Sequence, residues 1–254
     1  MRRRTTARTV GLLFIIATAA GVLSVVLLGP LDSLHPLELV ADHKFRMTAG
    51  ALAVLIMAAA IAMIPPIVFP VLKEHGEGLA LAYVVARSIE VVLVLPAAVG
   101  PLVVLAATSA FAETGVPDDA TQFQALPILT RTYETWGHPV SALFFCLGVL
   151  LLNCLLYRSR LVPRWISAWA IVAAVPYLAA DGFLVMFGLL APSSTLHNML
   201  ILPLALNEMV LAIWLLVRGF APTARIWPEG SETDRHTAPR PVETAIARAQ
   251  LRAK

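Results

Sequence analysis

Apolar side chains fill six stretches of this chain almost without interruption: Val10 to Gly29, Thr48 to Leu72, Leu79 to Ala107, His138 to Tyr157, Trp165 to Leu190 and Asn198 to Phe220. Each meets the ~20 residues that an α-helix needs to cross a hydrocarbon core about 30 Å thick. None alternates between apolar and polar positions, which argues against a transmembrane barrel. The pattern predicts an all-α fold, a polytopic transmembrane bundle of six helices within residues 1–220. His35 to Met47 and Phe111 to Trp136 read as the two longer loops between spans, with a re-entrant or interfacial piece at "FQALPIL" in the second. Beyond the sixth span, Pro222, Pro228, Pro239 and Pro241 alternate with charges, so residues 221–254 read as a disordered cytoplasmic tail. A short interfacial helix at "PVETAIARAQLRAK" is the weaker alternative there.

Composition agrees that the solvent is lipid. The chain is 59% hydrophobic and 14% charged with a mean hydropathy of +0.80, whereas a soluble domain has about a quarter of its residues charged. The basic residues then set an orientation. Fifteen of the 19 Lys and Arg lie in the leader, at Lys73, at Arg158, Arg160 and Arg164, or from Arg218 onward. The positive-inside rule therefore places both termini in the cytoplasm, as expected for a multi-pass membrane protein. The pI of 9.1 calls for no nucleic acid, because basic residues at the membrane boundary meet anionic lipid. Membrane lipids and a small solute or cation are the expected partners. "MRRRTTAR" followed by an apolar run has the order of a secretory signal, but the run continues to Gly29, which favours an uncleaved first span. Cys146 and Cys154, separated by about 12 Å of helical rise, are too far apart to bridge each other.

Within "LAYVVARSIEVVLVLP", Tyr83, Arg87 and Glu90 follow at spacings of four and three residues, so a helix stacks them on one face. Counted from Leu79, Arg87 lies about 12 Å and Glu90 about 16 Å along the third span. Glu208 lies about 15 Å along the sixth from its opposite end, which brings it to nearly the depth of Glu90. An isolated charge at such depth costs about 2.5 to 3.5 kcal/mol on insertion scales, so these groups are expected to face one another. Arg87 is expected to pair with one carboxylate while the other holds a proton or a cation. With Asn207 and Ser88, the same groups also fit a purely structural clamp between the third and sixth helices.

Three segments, "FPVLKEHGEGLALAYVVARSIE", "LLYRSRLVPRWISAW" and "LPLALNEMVLAIWLLVRGF", resemble the recurring blocks of the bacterial membrane family called domain of unknown function 4386. The resemblance extends over roughly Val10 to Phe220 and implies a multi-pass protein of the bacterial cytoplasmic (inner) membrane. It implies that Tyr83, Arg87 and Glu90, and the pair Asn207 and Glu208, are recurrent polar positions of that family. Ala82 and Ala170 stand where the family carries Gly, exchanges of small for small that bear only on helix packing. No activity comes with the family.

Other polar residues gather toward one boundary. His35, His43, His138 and His197 reach it, as does Asp181, about 24 Å along the fifth span. Imidazoles with a carboxylate suit a transition metal, and two facing His suit haem, but no close ligand spacing is present; no metal ligand is assigned and no cofactor is required. Arg158, Arg160 and Arg164 beside Trp165 are explained by topology and an interfacial aromatic anchor, with a lipid-phosphate site as the alternative. The chain has no P-loop, H-E-x-x-H or G-x-S-x-G motif, and an enzyme is the less favoured class. Prolines in four spans suggest the interrupted helices of transporters, and "EVVL" at Glu90 echoes "EMVL" at Glu208 as repeats would. A small-solute or ion transporter is thus the leading reading. A non-catalytic scaffold or regulatory subunit is the second, and a membrane-embedded enzyme or haem or metal protein the third. A cavity reaching the carboxylates favours the first, and a dry interior the second.

Overall fold

The computed structural model describes residues 3–29, 36–114, 136–192 and 194–221, with the side chains of 36–42 and 111–114 excepted. Among the described residues six helices follow one another: α1 (Arg3–Leu28), α2 (Pro36–Leu72), α3 (Glu77–Thr114), α4 (His138–Ser159), α5 (Arg164–Tyr177) and α6 (Thr195–Val217). A 3-10 turn, Lys73–His75, links α2 to α3, and a π-helical segment, Leu178–Leu184, prolongs α5. Among the described residues there is no strand. All six helices are long and apolar enough to cross a membrane, α5 being counted through Leu184. The fold class read from hydropathy is therefore the observed one. Exposed large apolar residues such as Val25, Val92, Val172 and Met199 are what helices facing lipid require, since a helix apolar all round needs an apolar environment on every side.

The helices form a closed ring. Each packs on its neighbour in sequence, and α6 packs back on α1. Closure depends on Gly11: a Cβ there would lie 2.6 Å from the backbone oxygen of Ala212, so only glycine lets α1 approach α6 this closely. With six antiparallel helices, Arg3 and Val217 lie at the same end of the ring, here called proximal. The main apolar core fills that half, with Phe14, Ile64, Tyr83, Leu155, Ile166 and Leu215 contributed by the six helices in turn. An ion pair between Arg3 and Glu74 joins α1 to the turn after α2. The turn after α4 passes through Arg160 in the left-handed conformation, φ 56°, and Ala221 N–H donates to Leu161 C=O at 2.9 Å.

Several sequence expectations are corrected. The supposed loop from His35 to Met47 is helical from Pro36 onward; proline suits a first helical turn, where an N–H has no partner to lose. The segment "FQALPIL" and the tail from Pro222 lie outside the described residues. Helices α2, α3 and α6 run through Pro65, Pro66, Pro70, Pro96, Pro101 and Pro203 without ending, so the expected interruptions are absent there. In an apolar medium an unpaired backbone group is costly, and neighbouring residues and small local adjustments keep such helices intact. Only beyond Pro176 does the pattern change, and the fifth span, expected to run to Leu190, leaves helical geometry at Leu184. Cys146 and Cys154 are free thiols, in keeping with their spacing.

Candidate functional site

The bonding pattern of α3 turns Tyr83, Arg87 and Glu90 toward the interior of the ring while Ser88 faces outward. Tyr83, Arg87 and Glu90 are all buried, the last two at 4% exposure. Ser88 is exposed and its hydroxyl donates to Val84 C=O on its own helix, so it takes no part in the polar cluster. Arg87 Nη1 lies 2.8 Å from Glu90 Oε2. The contact has the distance of an ion pair but lacks hydrogen-bond direction, and both Glu90 Oε2 and Arg87 Nε are without a hydrogen bond. Two side chains leaving one helix three residues apart cannot readily align fork to fork. Both groups thus keep unused hydrogen-bonding capacity in a buried place.

Arg87 reaches across to α4. Gly148 makes room for it, since a Cβ at that position would fall 2.7 Å from Arg87 Cδ. Its guanidinium carbon lies 5.4 Å from the centre of the Phe145 ring, an attraction worth about 0.5 to 2 kcal/mol. Arg87, Tyr83, Asn153, Asn207 and Glu208 line one internal cleft, closed toward the proximal core by Phe14, Leu152 and Leu211. The space there open to the centre of a water molecule is about 10 Å³, about one water. Tyr83 Oη and Asn153 Oδ1 are buried without a hydrogen bond, whereas Asn153 Nδ2 donates to Val149 C=O at 2.9 Å. Glu208 is only partly buried. It lines the same cleft as Arg87, while Glu90 is the carboxylate in contact with the guanidinium. Asn207 has a further role: its Nδ2 donates to Ile166 C=O at 2.8 Å, pinning α6 to the first turn of α5.

Sequence reasoning brought together Tyr83, Arg87, Glu90, Asn207 and Glu208 and missed Gly148, Phe145 and Asn153. "FFCLGVLLLNC" does hold a glycine and an asparagine inside an apolar span, but Val/Leu-rich sequence on either side does not say which face looks inward. In the ring α3 and α6 are not neighbours, and side chains of both line the cleft.

A second polar cluster occupies the distal end. Asp181, 1% exposed, sits in the π-helical segment after α5. Two imidazoles from other helices meet its Oδ1: His197 Nε2 of α6 at 2.9 Å and His138 Nδ1 of α4 at 3.5 Å. The Ser194 hydroxyl accepts from the His197 N–H at 3.2 Å and caps α6. His43 is not part of this cluster, and His35 lies outside the described residues. Among the described residues no three His, Cys, Asp or Glu groups are disposed to hold a metal ion; both rings point at one carboxylate oxygen instead of at a common centre. At the proximal face Arg160, Arg164 and Arg218 line a groove of about 620 Å³ beside Trp214, and Arg164 lies 5.0 Å from the centre of the Tyr157 ring.

Ring closure, lipid-facing apolar surface and buried charges together define a multi-pass membrane protein with a polar centre inside a six-helix bundle. The chain belongs to the family described as Domain of unknown function (DUF4386), which matches residues 9–219. Neither a curated protein nor a solved structure matches it.

Proposed function

We propose that this DUF4386 protein is a small-solute or ion transporter of the bacterial cytoplasmic membrane whose Arg87, Glu90 and Glu208 centre binds one small cation, a proton being the species that fits best. The observation that carries the reading is the charge ratio: the single buried guanidinium of Arg87 pairs with Glu90 and lines, with a second carboxylate, Glu208, a cleft with room for about one water. With both carboxylates ionised the centre has one negative charge in excess, and a proton or small cation neutralises it at far less cost than leaving a charge unpaired at that depth. Unpartnered oxygens on Tyr83, Glu90 and Asn153 supply further acceptors. The continuous proximal core favours exchange with the distal side in this conformation.

The test is ion-driven pH change in liposomes loaded with a pH-sensitive dye. Wild-type protein should dissipate an imposed pH gradient, and Glu208→Gln, which keeps shape but cannot ionise, should abolish the flux while the protein stays folded. Flux equal to that of empty liposomes in the wild type, or unchanged flux in Glu208→Gln, would remove the reading. The second reading, a scaffold or regulatory subunit whose polar centre only holds helices together, is favoured by the small size of the cleft and predicts the absence of flux.

A further inference from the structure

The distal cluster draws charged groups from three segments of the ring. His138 opens α4, Asp181 lies in the π-helical segment that follows α5, and His197 is in the first turn of α6. Isolated π-helical turns are frequent at functional sites. Here the segment follows Pro176, which has no N–H to donate back along α5, and its last bond joins Val185 N–H to Ala180 C=O at 3.1 Å. The carboxylate it carries is almost wholly buried, and a buried carboxylate must be compensated. Its two imidazole partners are unequal: the His138 side chain is 50% exposed, that of His197 only 7%. His197 Nδ1 is buried without a hydrogen bond.

We propose that His138, Asp181 and His197 form a proton-binding site, exchanging with the aqueous phase at the distal face through His138 and sharing the proton with His197 through the Asp181 carboxylate. With both rings neutral the cluster has the single negative charge of Asp181. One added proton neutralises it, and a second leaves it positive, so the two rings are coupled through Asp181 and titrate as one unit. Among the described residues the other titratable groups bearing on Asp181 are Tyr177 on its own helix and Cys146 on α4. The cluster adjoins the midplane centre by contact: Tyr177 packs on Phe145 with ring centres 5.0 Å apart, and Phe145 faces the Arg87 guanidinium. This site does not depend on whether the midplane centre moves ions, because its occupancy is read from the rings themselves.

The experiment is long-range proton–nitrogen NMR of the full chain, labelled at its six histidines and held in lipid nanodiscs, between about pH 5 and pH 8, where imidazoles titrate. His138→Gln and His197→Gln assign the two rings. In the wild type both rings should change over a common pH window. In Asp181→Asn the rings should uncouple, with His138 titrating alone and His197 staying neutral throughout. Should Asp181→Asn fail to fold, His138→Gln is the second arm: His197 should then titrate about one pH unit higher, a tenfold gain in proton affinity, because it no longer shares the proton. A wild-type His197 ring that never changes, or one whose titration is unmoved by either substitution, overturns the proposal.

Discussion

Arg87 holds its place by contacts on three sides: Glu90 on its own helix, the ring of Phe145 and the gap left by Gly148. Removing the guanidinium leaves Glu90 buried without its partner, so Arg87→Ala should lower stability by about 3 to 5 kcal/mol. Replacing both members, Arg87→Leu with Glu90→Leu, should cost less than the worse single change, because the desolvation of both ions disappears together. Unfolding in mixed micelles measures both. A double variant less stable than either single one would show that Arg87 and Glu90 stabilise the ring through separate partners. Periodicity made this pair readable, since four- and three-residue spacings put Tyr83, Arg87 and Glu90 on one face whatever the tertiary context. Asn153 and Gly148 were not readable, because an isolated polar or small residue in a leucine-rich helix has no periodic partner to fix its direction.

At the scale of elements, the spans came from the chain and their contacts from the fold. The contact of α1 with α6 closes the ring, and it rests on the missing side chain of Gly11 against the Ala212 backbone. Backbone cannot move aside as a side chain can, so Gly11→Leu should separate the two helices and cost about 3 kcal/mol, the upper end of ordinary overpacking. Thermal unfolding together with cross-linking between cysteines placed on α1 and α6 would detect it, and an undiminished cross-linking yield would contradict it. Prolines misled the sequence reading for a related reason: a proline removes one hydrogen bond, but the low polarity of the membrane makes the rest of the helix costly to break. The segment after Pro176 departs from this pattern, and it is there that Asp181 meets two histidines.

For the whole molecule, six antiparallel helices put Arg3 and Val217 at one end, and the distribution of Lys and Arg predicts that this end faces the cytoplasm. Reporter fusions after Lys73, Arg160 and Ala221 should report cytoplasm, and fusions near Asp118 and Ser194 the opposite side, since fifteen of the 19 basic residues fall in the leader or on the first set of segments. A cytoplasmic signal at Asp118 would contradict this topology. The ring also separates two polar centres, one at mid-depth on α3, α4 and α6 and one at the distal end on α4, α5 and α6. They share α4, through Phe145 and Cys146, so a change at either bears on that helix.

The sequence by itself determined the solvent, the number of spans and the placing of Arg87 and Glu90 on one face, because hydropathy and helical period are local properties of the chain. It also brought Glu208 to their depth by counting residues from the ends of a span. Only the tertiary structure decided that α3 and α6 face each other across a cleft instead of packing together, and that His138 and His197, among the histidines near one boundary, meet at Asp181. Those facts depend on which faces of different helices turn toward each other, and on glycines whose meaning is the neighbour they admit; neither is written in the period of a single span.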